Sequence, residues 1–293
     1  MKDAARLGAY FAATVLFGAL AAPPLYWLAQ WLISRGFLGF LQGHDFETFF
    51  HRALLVGAVA FLWPLIRSLG VRSWRDLGLE RNPNRGRDAG TGLVIAAVPL
   101  LCFGGLLLGM GVYALRSSVS VAAILERAVS AAVVPFIEEP LFRGLILGIL
   151  LRAGSPLTAA LGTSALFSIV HFLKAPEGTS AQVTWSSGFR SIGNSFGQFH
   201  EPLLVAAAFT TLFVLGWILA DARLRTRSLW LPIGLHAGWI FSSALFNKLA
   251  SRELELLPWI GRNLLVGLAP LAVALLSWAM MRAWLRYARP AKN

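Results

Sequence analysis

Three titratable residues stand inside apolar stretches where charge is costly. They are Glu138 in VVPFIEEPLFRGLILGIL (133–150), His171 in LFSIVHF and His236 in LPIGLHAGWIF. A carboxylate and two imidazoles gathered in an apolar cavity support two kinds of hydrolytic chemistry. In one, Glu138 takes a proton from water as general base, one histidine orients that water, and the other stabilises an oxyanion. In the other, Glu138, His171 and His236 ligate zinc with a water in the open position. No HExxH sequence is present, so zinc has no independent motif behind it and no cofactor is expected. The same groups would also serve a transport or proton-relay role, and residue types alone leave that level with catalysis.

The stretch 133–150 sorts its charges by helix geometry. Glu139 and Arg143 are four apart, share a face and can neutralise each other, so they read as a structural ion pair. Glu138 lies roughly 100° further round the helix and cannot easily use that arginine. It is left as a buried carboxylate with another task. Pro140 frees the carbonyl four residues before it and bends the helix beside the pair.

Composition supplies the setting. The chain has 293 residues, of which 57% are hydrophobic and 14% charged. Soluble domains carry about 25% charged residues, so a polytopic helical membrane protein is implied. The net charge of +12 is then a matter of loop bias rather than of nucleic-acid binding. Cys102 is the single cysteine, which excludes an internal disulfide; it reads as a buried, inert thiol.

Eight spans are expected, at about 8–32, 49–66, 91–114, 121–151, 156–173, 201–220, 229–247 and 263–284. The first resembles a signal peptide at its start, but its apolar run continues past Pro23 and Pro24, so an uncleaved helix is expected. The basic stretch 67–90 alternates Leu and Trp with arginine and reads as an amphipathic segment on the membrane surface. Residues 174–200 read as a polar loop. His51 and His200 fall near interfaces as ordinary surface groups.

Lys2, Arg6, the arginines of 67–87, Arg152, Arg223, Arg225, Arg227, Arg282, Arg286, Arg289 and Lys292 all fall on one side of eight spans. That side is cytoplasmic by the positive-inside rule, so a plasma (inner) membrane protein with both termini in the cytoplasm is expected. Counting from that side, Glu138 lies about 14 residues deep and His171 about 15, roughly 21–22 Å for each. His236 is seven residues from Leu229, roughly 10 Å. It reaches the same depth only if its helix starts nearer Arg225. No repeat and no second soluble domain is visible, so residues 1–293 read as one membrane domain with an all-α fold around an intramembrane polar cavity.

EExxxR on one helix, FxxxH on the next, and a histidine on a later helix together resemble the CAAX protease and bacteriocin-processing family of intramembrane proteases. The residues that carry the resemblance are Glu138, Glu139 and Arg143, then Phe167 and His171, then His236, with LGL at 77–79 as a lesser sign. The family includes the type II CAAX prenyl proteases, and many bacterial relatives are linked to bacteriocin maturation or self-immunity. The resemblance implies a catalytic core over 121–248, with Glu138 and His171 activating water and His236 serving the oxyanion. The implied activity is an intramembrane endopeptidase acting on a membrane-associated protein or peptide beside the lipid bilayer. The alternative is a catalytically weak relative that acts by binding, for instance in immunity. Oligomeric state is not legible.

One position departs from the family pattern. Asn usually follows the third-motif histidine by four residues, as an oxyanion donor; here Ile240 stands there. Ser243 and Asn247 share the helical face of His236 and are candidate substitutes.

Overall fold

Apolar segments of this length fold as helices because a chain in hydrocarbon must satisfy each backbone N–H and C=O within its own segment. The computed structural model describes residues 2–71, 73, 77, 79, 82–171, 182–254, 256–261 and 263–288. Among them the α-helices are α1 (Lys2–Ser34), α2 (Phe46–Ser68), α3 (Arg85–Gly109), α4 (Val121–Glu139), α5 (Leu147–Ala153), α6 (Pro156–His171), α7 (Ser187–Ser195), α8 (Pro202–Thr226), α9 (Trp230–Leu249) and α10 (Leu268–Ala288). Five of these, α1, α2, α3, α8 and α10, are long and apolar enough to cross a membrane, and α6 is a shorter apolar helix. The described residues are predominantly helical, and the chain is a multi-pass membrane protein. On α4 the side chains of Val121, Leu125, Val129, Val133 and Phe136 form an exposed apolar stripe, a face suited to lipid.

Several expectations are corrected. The third stretch stops being helical at Gly109, and Gly111 takes the left-handed conformation (φ +71°) that ends the helix. The chain then forms β1 (Tyr113–Leu115), which pairs antiparallel with β2 (Ala250–Arg252) in the register Tyr113↔Arg252. Hydropathy absorbs so short a ribbon into the neighbouring span. The latter part of 174–200 is not loop but α7 and a 3-10 turn, Phe196–His200. Its small residues Ser187, Gly188, Ser191 and Ser195 are buried on one face, which composition alone reads as polar. Cys102 is exposed on α3 rather than buried. His200 is exposed as expected, but His51 is half-buried within α2. Much of the basic stretch 67–90, including Arg72, Arg75, Gly78 and Arg81, lies outside the described residues, as do Glu177, Glu255, Arg289 and Lys292; residues 85–90 belong to α3.

Helices group into two compact units. One comprises residues 1–72 and 169–201, the other 73–168 and 202–293. In the first, α1 and α2 run antiparallel, with Tyr10 donating to the Ala58 carbonyl at 3.0 Å near one end and Tyr26 against Phe46 near the other. Asp45 caps α2 by accepting from the Thr48 amide at 3.1 Å. Its core is Ala19, Ala22, Phe46, Phe50 and Ala53. A Cβ at Gly188 of α7 would meet the Ala19 carbonyl, so glycine is required there.

The second unit is built on α9. Its closest neighbour is α3, running parallel: a Cβ at Gly234 would meet the Ala89 carbonyl, and one at Gly238 would lie 2.5 Å from the Leu93 carbonyl. The two glycines are four apart, the small-residue spacing that lets membrane helices touch backbone to backbone. Leu100, Leu231, Leu235, Trp239 and Phe246 fill the seam, together with Ile218 and Leu219 of α8 and Met281 of α10. Against another face α4 runs antiparallel: Phe136 near its end meets Trp230 at the start of α9 edge-on at 5.9 Å, while Ala123 and Arg127 near its start share a cavity with Ile240 and Asn247 farther along α9.

Gly234→Ala should cost about 1–3 kcal/mol or more, as overpacked substitutions do. Gly105→Ala on α3, where an added methyl meets nothing within 4 Å, should instead stabilise by up to about 1 kcal/mol through helix propensity. Thermal unfolding of both variants in detergent checks the contrast.

Candidate active site

The site begins with a break in helix geometry. Pro140 has no N–H to give the Phe136 carbonyl, and from Pro140 to Ile146 the chain winds as a π-helix. Leu147 closes it by donating to the carbonyl of Phe142, five residues back. Wide turns of this kind recur at functional sites, where they re-aim side chains. Glu139 through Leu147 are all buried.

Inside that turn Arg143 Nη1 donates to Glu139 Oε1 at 2.9 Å, and both side chains are 0% exposed. The expected ion pair is present. Glu139 does more, however: the same oxygen lies 2.7 Å from His236 Nδ1. With a carboxylate at Nδ1, that nitrogen carries the proton and donates it, and Nε2 points the other way. Nε2 lies 3.9 Å from Glu138 Oε2. The adjacent carboxylates therefore differ in access, since the Glu138 side chain is 25% exposed and that of Glu139 is sealed.

Further groups hold the arginine. Arg143 Nη2 donates to the Gly216 carbonyl on α8 at 3.2 Å, and its guanidinium sits 4.4 Å from the ring centre of Phe167. The Phe167 ring meets His236 edge-on at 5.9 Å. Gly216 permits this approach because α6 passes close by, with Ser164 Cα 3.1 Å from where a Cβ would be.

His236 thus stands beside both glutamates although α9 begins at Trp230 rather than nearer Arg225. The connection to α9 is itself packed inside the unit, with Thr226, Ser228 and Leu229 buried. Counting residues from a helix end treats that end as an exposed reference point, and here it is buried in protein. His171 is the last residue of α6, half-buried, and falls in the first unit. Ile240, Ser243 and Asn247 follow His236 along α9 and line a cavity of about 750 Å³.

Among the described residues no three of His, Cys, Asp or Glu stand together as a metal-binding group. With Nδ1 of His236 committed to Glu139, the Glu138–His236 pair offers a metal one nitrogen and one carboxylate. The residues gathered here do not by themselves fit a zinc site.

Two roles were missed in the sequence. Phe167 was visible only as part of a motif, although an aromatic one turn before a histidine marks a shared face. Gly216 left no signal, since its carbonyl rather than its side chain is used.

A comparison against protein families bears on the same stretch of chain. Residues 120–242 match the model of the type II CAAX prenyl endopeptidase Rce1-like family. This segment is similar to that family. The Rce1-like segment runs from the start of α4 into α9 and contains Glu138, Glu139, Arg143, Phe167, His171 and His236. No curated protein and no solved structure matches the chain.

Removing Arg143 from the Rce1-like segment strips the sealed Glu139 of its cation and leaves the His236 imidazole to hold it. Arg143→Ala should therefore cost about 3–5 kcal/mol. Glu138→Gln, at the accessible carboxylate, should leave the melting temperature near wild type. Size-exclusion thermostability of the two variants separates the roles, and equal losses would show that they are wrongly divided.

Proposed function

We propose that the chain is an intramembrane endopeptidase that hydrolyses a peptide bond of a membrane-associated protein or peptide through a glutamate-activated water. The observation that carries this reading is the partly exposed Glu138, with Oε2 3.9 Å from Nε2 of His236, an imidazole whose other nitrogen is anchored on the sealed Glu139. The Rce1-like match supports a peptidase, since the family is named for that activity.

In this mechanism Glu138 takes a proton from water, and the hydroxide attacks the scissile carbonyl. His171 orients the water. His236 donates through Nε2 to the oxyanion, which requires both ring nitrogens to carry protons. Glu138, Glu139, Arg143 and His236⁺ then form a neutral quartet. Protonating Glu138 leaves one excess positive charge, opposite the negative charge that develops on the substrate oxygen. The proton on Glu138 passes to the leaving amine. Residues 121–248 are the catalytic core in this reading, and eight helical spans enclose its cavity.

Ile240 favours one competing reading, a weakly active member that works by binding. A donor missing at that position would cost about a hundredfold or more in turnover. Because Ile240 lines a cavity, an amide placed there meets space rather than packed hydrocarbon. In single-turnover cleavage of a membrane-anchored reporter peptide, Glu138→Gln should abolish the reaction, and His171→Ala and His236→Ala should slow it by about 10²–10⁴-fold. Ile240→Asn should raise the rate constant more than the affinity. Cleavage by Glu138→Gln at the wild-type rate would overturn the general-base assignment. Stoichiometric zinc that leaves with activity in His171→Ala would establish the metal mechanism instead.

The topology proposed is eight spans with both termini cytoplasmic. Helix directions support it, because alternate crossing requires the third and seventh spans to run parallel and the fourth to oppose the seventh. α3 lies parallel to α9, and α4 antiparallel. Reporter fusions after Arg87 and Arg227 should both report cytoplasm, and an outside signal from either breaks the alternation.

A further inference from the structure

The cavity beyond Ile240 has a charge pattern that peptide-bond hydrolysis does not call for. Its charged lining residues are Arg116, Arg127 and Lys248, all basic and drawn from three parts of the second unit: the stretch after β1, α4 and the end of α9. Ser120, Ser243 and Asn247 add uncharged donors to the same walls. Among the described residues none of the three cations meets a carboxylate. Glu126 is next to Arg127 in sequence but does not line the space. Such an arrangement is expensive unless something neutralises it, since like charges sharing a cleft repel and raise its potential. The start of α4 adds to the effect. Ser120 precedes that helix without capping it through its side chain, which leaves first-turn amides and the positive end of the helix dipole at the cavity.

We propose that this cavity binds an anionic phosphoryl group, carried by a lipid headgroup or free in solution. Three separated cations with hydroxyl and amide donors suit an anion that presents several oxygens in different directions. The volume of about 750 Å³ accommodates more than a bare ion, within the range of small-molecule sites. This site shares Ser243 and Asn247 with the candidate oxyanion donors, but its three cations lie outside the Glu138, His171 and His236 set, so binding can be tested apart from cleavage.

The test uses the full chain purified in a neutral detergent. Binding of short-chain phosphatidylglycerol, short-chain phosphatidylcholine and inorganic phosphate is measured by calorimetry for four proteins. These are wild type, Arg116→Gln/Arg127→Gln/Lys248→Gln, Arg127→Gln alone, and Arg286→Gln on the exposed face of α10 as a control for general charge. Saturable binding of phosphatidylglycerol at least tenfold tighter than phosphatidylcholine is expected. It should weaken at least tenfold in the triple variant, detectably in Arg127→Gln, and not in Arg286→Gln. Phosphate that competes with phosphatidylglycerol but binds far more weakly assigns the headgroup as the source. Phosphate that binds as tightly as the lipid, or alone, assigns the free anion. Equal binding of the two lipids without phosphate binding overturns the proposal. So does unchanged affinity in the triple variant, and if that protein does not fold, unchanged affinity in Arg127→Gln decides the same way.

Discussion

One carboxylate oxygen, Glu139 Oε1, accepts from both Arg143 and His236 with no exposure to solvent. A lone carboxylate at that position would be prohibitive, and a carboxylate–arginine pair alone would gain little over apolar packing. The third partner changes its use. By engaging Nδ1 of His236, the pair becomes a fixed mount that sets both the direction and the protonation of an imidazole. Glycine 216, Phe142 and Phe167 then hold the arginine, so helices α6, α8 and α9 all register on one charge.

Such a mount works only if α9 cannot rotate. Rotation by a single residue would carry His236 about 100° away from Glu139. Gly234 and Gly238 prevent this from the other side, because they seat α9 against the backbone of α3. His236 lies midway between them in sequence, and therefore on the face turned away from α3. The same five residues, GLHAG, thus fix the helix and present its imidazole to the two glutamates.

The sequence made much of this legible, and the places where it misled have physical causes. The Glu139–Arg143 pair followed from spacing alone, because four residues on a helix determine a face. Helical identity of the apolar stretches followed from the cost of unsatisfied backbone in lipid. The meeting of His236 with the two glutamates did not follow from residue counts, because those were taken from a helix end that is buried at Ser228 and Leu229. The β1–β2 ribbon and α7 were hidden for related reasons. Three-residue strands leave no periodic trace, and serines that pack helix to helix look the same in a sequence as serines in a loop. The bond from Arg143 to Gly216 was beyond reach, since a backbone carbonyl carries no residue-specific signature.

Adjacent glutamates with opposite exposures also explain why the helix should break where it does. In a regular helix neighbouring side chains diverge by about 100°, which is enough to separate two carboxylates but leaves both on a surface patterned by the same repeat. Beginning the π-helical turn at Pro140 changes the repeat immediately after the pair. Arg143 and the residues up to Leu147 are drawn inward as a continuous buried block, while Glu138, on the regular side, keeps its access. The irregular turn therefore marks the boundary between a carboxylate sealed among its partners and one that keeps partial exposure.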